Sequence, residues 1–522
     1  MAKNKFKRIN KGYSEAGASY TRKAFKGFTV KSGSPNEDIN YNNMTLRQRS
    51  RILSMSGGFA TSAIKTNRTN VIGCGLILKS HIDREVLGLD EEAANQWQKN
   101  TEREFALWAE NKNNCDAIGM NDFYKMQQLV FMNGLVNGDC FTLGQHDEKA
   151  VTDIAPYSLR LNIIEADRVQ TPTKNAYSGV ITITDGKCSN GNRIYDGVEV
   201  NKNGKVVAYH IRNNYQYEMN AEPTEWTRVE AVGKRTGLYN VVHTLCDVER
   251  PGQYRGVPLI APVIEQILQI RRYTEAELMA AVVESFFTAF IKTNTSSGED
   301  PLEEAIIDEE PIEKNPDKEY EMGAGNFVYL EPDEDVTFGD PKRPAGGFQS
   351  FVEAIAVQIG ASLEIPKEML LKQFNSSYSA SRAALLEFWK LVKMRREWFV
   401  SDWCRPVYEL WMYEAVARGR IKAPGFFNDP IKRMAWLGAD FIGPSQGMLD
   451  PTKEITAEEM MCENGFSTRA DSAIRLNGSD FLMNVATLKV ENQAIEDAKT
   501  SQRTVDLKEQ YINSSVGGKS ET

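Results

Sequence analysis

The chain has 522 residues, of which 41% are hydrophobic and 25% charged, and its formal net charge is −9. That composition belongs to a folded globular protein of two to four structural units, and the acidic balance argues against a general nucleic-acid binder, which carries a basic excess. Seven scattered cysteines with no C-x-x-C pair and only four histidines argue against a disulfide framework; Cys74 and His81 are isolated ligand types, so no metal site or cofactor is expected.

Residues 1–44 read as an irregular basic arm, with Lys3, Lys5, Lys7, Arg8, Lys11, Arg22, Lys23, Lys26 and Lys31 against a single acid, Glu15, up to that point. Such a run is a solvated tail or an arm that contacts DNA or another macromolecule. From Leu46 to Asn70 the apolar residues recur at helical spacing, and Gly73 and Gly75 end the pattern. Helices are expected over 90–111 and 121–136, the second capped by Asn121. Residues 138–245 turn to short runs of β-formers, and Asn203-Gly204 between two such runs marks a hairpin.

The pattern then returns to helix over Val257–Phe287. Ala276, Ala280 and Ala281 set small residues among larger apolar ones, which lets a neighbouring helix approach closely. Periodicity alone leaves open whether that neighbour lies within the chain or in a copy of it. Ser296–Glu321 holds eleven Asp and Glu against two Lys, a solvated loop. Short strands are expected at 327–330 and 336–338, a second apolar helix at Phe348–Leu363, and a loop over 364–378. A long helix follows from Ser379 to Arg418, with a kink expected at Pro406. Residues 450–512 read as polar helix. No uncharged apolar run reaches the roughly 18 residues of a membrane span.

Three fragments of catalytic motifs fail. Gly443-Pro444-Ser445-Gln446-Gly447 fits G-x-S-x-G, but Pro451 interrupts the following turn and no histidine lies downstream. Gly518-Lys519-Ser520 lacks the first glycine of a P-loop, since position 513 is Asn513, and no helix follows it. Gly73-Cys74-Gly75 lacks the third glycine of a dinucleotide fingerprint. No enzymatic activity is expected.

Several segments, in order, resemble the lambda-type portal family of tailed phages. They are Arg68-Thr69-Asn70-Val71-Ile72-Gly73-Cys74-Gly75, the run Glu165–Pro172, the run Gly197–Gly204 leading into Ala208-Tyr209-His210-Ile211, the run Arg250–Pro258, the run Asn375–Arg382, and Asp450-Pro451-Thr452-Lys453-Glu454. Each is short; their order and spacing carry the resemblance over residues 45–490.

The resemblance implies an α+β, mainly helical portal fold that assembles into a ring, commonly a dodecamer. It implies a wing at 45–256 and 379–445, stem helices at 257–287 and 347–363, and a clip at 288–346. A tunnel loop at 364–378, a crown at 446–512 and a disordered tail at 513–522 complete it. Lys367, Lys372, Asn375, Ser376, Ser377 and Tyr378 become candidates for facing DNA, and Ala276, Ala280 and Ala281 for the subunit interface of the stem. The implied function is a channel at one capsid vertex through which double-stranded DNA is packaged and ejected without sequence specificity. Implied partners are the terminase motor, head-tail adaptor proteins, and major capsid or scaffold protein. No membrane is implied, and the implied location is the virion, after assembly in the host cytoplasm. The competing reading is a head-tail adaptor or scaffold protein that forms no ring.

Overall fold

The computed structural model of the chain describes residues 13, 17–28, 31–172, 177–178, 181–184, 187–219, 222–285, 289–293, 334–338, 347–374, 377–448 and 450–516. Helices dominate, with short sheets between them, as an α+β reading expects. The basic stretch before residue 13, the acidic stretch 296–321 and the strand expected at 327–330 lie outside the described residues.

Helix α1 (Pro35–Ser56) starts well before the expected Leu46. Its N-terminus is a reciprocal cap: the Ser34 hydroxyl accepts from the Glu37 amide at 3.3 Å while the Glu37 carboxylate accepts from the Ser34 amide at 3.0 Å, and Pro35 presets the first helical φ. Gly57 separates α1 from α2 (Gly58–Val71), where a single helix was expected. Strand β1 (Ile77–Ser80), α3 (Arg84–Leu87) and α4 (Glu91–Ala109) follow, with Asp90 capping α4 through the Ala93 amide at 2.7 Å. After α5 (Lys112–Cys115) comes α6 (Phe123–Asn137), and its cap is Asp122 rather than Asn121: the carboxylate accepts from the Lys125 amide at 2.7 Å.

The β-rich block is as expected. It holds β2 (Asp139–His146), β3 (Leu159–Glu165), β4 (Tyr177–Ser178), β5 (Ile181–Thr184), β6 (Lys187–Cys188), β7 (Arg193–Tyr195), β8 (Val198–Val200), β9 (Val206–Arg212), β10 (Trp226–Glu230) and β11 (Val241–Leu245). Strands β4 to β10 form one antiparallel sheet in sequence order, and β11-β2-β3 form a second. The Asn203-Gly204 hairpin joins β8 to β9, with Gly204 at φ 79°.

Helix α7 (Ile264–Ser285) begins later than Val257, behind Pro258 and Pro262. Strands β12 (Ala289–Thr293) and β13 (Glu334–Phe338) pair antiparallel. Then come α8 (Phe348–Ser362), α9 (Lys367–Leu371) and α10 (Tyr378–Phe399). A π-helical turn over Val400–Cys404 leads into α11 (Arg405–Ala417). The wide turn absorbs Pro406, which offers no amide hydrogen and crowds the carbonyl one turn back. The chain closes with α12 (Pro430–Trp436), β14 (Ala439–Ile442), which pairs with β1, and α13 (Pro451–Glu463), α14 (Arg469–Asn477) and α15 (Phe481–Val516).

The chain forms two compact units. One gathers Met1–Met55, Ile64–Ala261 and Leu386–Thr522; the other gathers Ser56–Ala63 and Pro262–Leu385. The larger unit has an aromatic core drawn from distant segments. Phe105 of α4 meets Phe123 of α6 edge-on at 5.2 Å and Trp411 of α11 at 5.0 Å, while Phe123 stacks on Trp403 at 5.1 Å. Two of the indole donors are satisfied, Trp108 by the Leu159 carbonyl at 3.1 Å and Trp403 by the Thr142 hydroxyl at 2.9 Å, while the buried Trp411 Nε1 has no acceptor among the described residues. A second core joins both larger sheets through Phe141, Ile164, Val198, Tyr209 and Ile211.

Against the second core lies a buried ionic hub, with Arg255 over the Phe141 ring at 5.2 Å. Arg255 and Asp139 are both 0% exposed and pair through two hydrogen bonds, Nε to Oδ2 at 2.6 Å and Nη2 to Oδ1 at 3.1 Å. Arg255 also donates to the carbonyls of Val169 at 2.8 Å and Ala166 at 3.0 Å. Arg47 of α1 reaches Asp196 at 3.0 Å. Beside the hub the backbones of Gly138 and Gly256 touch: a Cβ on Gly256 would sit 1.9 Å from the Gly138 carbonyl oxygen.

Candidate functional site

The site expected from sequence is carried by the smaller unit. Helices α7 and α8 pack through aromatic rings: Tyr273 stacks on Phe348 at 5.6 Å and leans on Phe351 at 4.6 Å. Their apolar burial is confined to one end. Val263, Ile264, Ile267 and Ile270 are buried near the start of α7, and Ala356, Ile359 and Gly360 near the end of α8.

Beyond Ile270 the α7 side chains turn outward. Ala276 and Ala281 are exposed and Ala280 is half-buried. Leu278 is 64% exposed and Met279 62%, and on α8 Phe351 and Val357 remain about half exposed. The alanines therefore belong to a longer apolar surface, and its large members were missed in the sequence. The signal was present, since the apolar pattern of α7 continues past the last residue that the chain itself buries.

The segment 364–378 is less irregular than expected. Gly360 accepts from the Ile365 amide at 2.8 Å while Glu364 takes a left-handed φ of 58°, which ends α8 in a Schellman-like turn. A Cβ at Gly360 would lie 2.5 Å from the Ile365 oxygen, so the turn needs glycine there. Pro366 then opens the short α9, and Leu370 is buried, its carbonyl accepting from the Ser62 hydroxyl at 2.8 Å. Lys372 ends α9 in a left-handed conformation, φ 57°.

Of the six candidates, Ser377 is exposed, and so are Lys367 and Lys372 at the two ends of α9. Ser377 also shapes the backbone next to it, since its hydroxyl accepts from the Ala380 amide at 3.4 Å at the start of α10. Tyr378 is the first residue of that helix. Asn375 and Ser376 lie outside the described residues. Glu364 and Glu368 stand among Lys367 and Lys372, so the segment balances two cations with two anions, and Phe374, 53% exposed, adds an apolar side chain that the sequence pattern does not single out.

The rejected nucleophile motif fails in space as well. Ser445 follows β14, but the next helix begins only at Pro451, and Arg396 donates to the Pro444 carbonyl at 3.0 Å across the place an elbow would open. A cavity of about 450 Å³ is lined by His81, Arg405, Glu409 and Arg433. Its lining, among the described residues, holds neither serine nor cysteine. No described helix is long and apolar enough to cross a membrane.

The family model described as phage portal protein, lambda family, matches residues 21–396. Portal protein B of Escherichia phage lambda is 23% identical over 436 residues, covering 80% of this chain and 77% of its own. A probable portal protein of Halomonas phage phiHAP-1 is 27% identical over 455 residues, covering 84% and 77%. Among solved structures, the neck of a native GTA particle computed with C12 symmetry aligns at 12% identity, covering 84% of this chain and 94% of that one, with a TM-score of 0.41.

Proposed function

The chain belongs to the lambda family of phage portal proteins, and from that premise we propose that it forms the ring-shaped channel at one capsid vertex through which double-stranded DNA enters and leaves. The observation that carries the reading is the family match over residues 21–396. The exposed apolar surface on α7 and α8 supports it, because a water-facing patch of this kind marks an interaction surface. Residues 257–287 and 347–363 serve as the stem in this reading, 288–346 as the clip, 364–378 as the tunnel loop, 45–256 and 379–445 as the wing and 446–512 as the crown.

The charge pattern suits a channel. A basic lining would neutralise many phosphates and hold the duplex through counterion release, whereas a net charge of −9 per subunit favours sliding. Lys367 and Lys372, interleaved with Glu364 and Glu368, would touch phosphates without trapping them. The protein acts as a structural component and carries out no chemistry; the packaging motor is a separate terminase, and adaptor proteins, capsid or scaffold dock on its outer regions. It resides at the portal vertex of the virion, having assembled in the host cytoplasm.

Negative-stain electron microscopy of the purified full-length chain tests this directly. Rings of about twelve subunits around a central hole are expected. Monomers at every concentration and salt, with or without the phage's scaffold protein, would overturn the ring and favour a head-tail adaptor.

A further inference from the structure

Alternate residues of β8 and β9 serve opposite faces of the seven-stranded sheet. Val198, Val200, Tyr209 and Ile211 face the apolar core, which puts Glu199 and His210 on the other side. There Cys188 and Ile194 form a small buried pair, and Ala208 and Trp226 are buried on the same side by strand alternation. Strands β4 to β7 are two to four residues long, too short to stabilise this end of the sheet by ladder hydrogen bonds alone.

Three side chains of different donor type converge on that face. A ligand atom of Cys188, one of Glu199 and one of His210 lie within 4.8 Å of one another, and all three residues are buried. The His210 Nε2 and Glu199 Oε2 are 3.2 Å apart. Both carboxylate oxygens are already engaged: Oε1 accepts from Asn190 at 2.9 Å, Asn192 at 2.6 Å and the Arg228 Nη2 at 3.1 Å, and Oε2, which faces His210, accepts from the Arg228 Nε at 2.7 Å.

We propose that Cys188, Glu199 and His210 bind a zinc ion, which ties β6, β8 and β9 together. A thiolate sulfur, an imidazole nitrogen and a carboxylate oxygen form a donor set that zinc favours, with water as a fourth ligand. Oxygen-only cations such as calcium and magnesium do not suit a thiolate. Asn190, Asn192 and Arg228 then act as the outer partners that orient a ligating carboxylate. Binding forms a zinc–sulfur bond and releases the thiol proton to solvent, and the His210 Nε2 gives up the proton it shares with Glu199, by shift to Nδ1 or loss to solvent, before it ligates, so affinity rises with pH. Arg228 already neutralises Glu199, which is the competing account: an ion-pair cluster closed by arginine, with no metal.

The test uses the full-length chain, Co(II) as a spectroscopic probe and zinc quantified by elemental analysis after dialysis. The expected result is a thiolate-to-cobalt charge-transfer band in the near ultraviolet, one zinc per chain, and loss of both in Cys188→Ser, with affinity falling at least about tenfold. Adding zinc to the chelator-treated wild type should restore its melting temperature. No charge-transfer band in the wild type overturns the proposal without reference to any variant, and equal zinc retention by Cys188→Ser identifies adventitious metal only. Neither outcome bears on ring formation, so the portal reading stands or falls separately.

Discussion

At the scale of single residues, the hub around Asp139 concentrates the most consequential electrostatics of the larger unit. Burial alone would raise the Asp139 carboxyl, but Arg255, His243 and Arg47 outweigh it and hold that carboxyl far below the usual range. Removing one partner leaves the other charge buried and unpaired, so Arg255→Met should cost about 3–5 kcal/mol, read as a lower midpoint in urea denaturation. The adjacent His243 shifts the opposite way to a surface histidine in an ion pair: burial lowers its pKa from the ordinary 6.5, and the pull of Asp139 only partly restores it. Both groups thus have depressed folded-state pKa values. Their contributions are present above the unfolded values of 6.5 and 3.8 and are lost as pH falls. Melting temperature should be level between about pH 7 and 8, begin to decline below about pH 6.5 as His243 is forced to charge, and fall further near pH 4. His243→Gln should remove the first decline and keep the second; an unchanged profile would clear His243 of the effect. None of this was legible in the sequence, where Asp139 lies about a hundred residues from His243 and Arg255 and all three belong to different segments.

At the scale of elements, the caps decide where helices begin, and they were legible only in part. The β8–β9 hairpin could be placed because Asn-Gly supplies the positive φ that its turn requires. The start of α6 was misplaced by one residue: Asn121 and Asp122 are both capable caps, and only the backbone geometry selects Asp122. Asp122→Ala should therefore cost about 1 kcal/mol, whereas Asn121→Ala should cost far less; differential scanning fluorimetry on the two variants separates them. The start of α1 was missed outright although Ser34 and Glu37 hold the capping-box spacing, because the basic residues before them mask the signal. Pro406 was correctly singled out, but its physical consequence is a widened turn rather than a simple kink. Which elements come together, such as α4 with α11, depends on contacts hundreds of residues apart that no local pattern encodes.

At the scale of the whole molecule, the proposed ring is tested through its two candidate surfaces. Ala280→Glu sets a charge in the apolar surface of α7, and desolvating it in a subunit interface would be costly; rings should be lost by electron microscopy while far-ultraviolet circular dichroism stays unchanged. Normal rings from this variant would remove α7 from the interface. Deleting Gln373–Tyr378 should leave rings intact and reduce DNA packaging or retention in a complementation assay; full packaging would remove that segment from the mechanism. The sequence made the family legible through the order of its short motifs, whereas the large exposed side chains Leu278, Met279 and Phe351 emerge only once the chain's own burial is known. The aromatic core has a further consequence in time. Phe105 and Phe123 are closed over by Trp403 and Trp411, which leave the ribosome about 300 residues later, or about 15–60 s at 5–20 residues per second. For that interval the nascent chain exposes an aromatic face that its own later helix covers, an aggregation-prone stage of the kind chaperones shield.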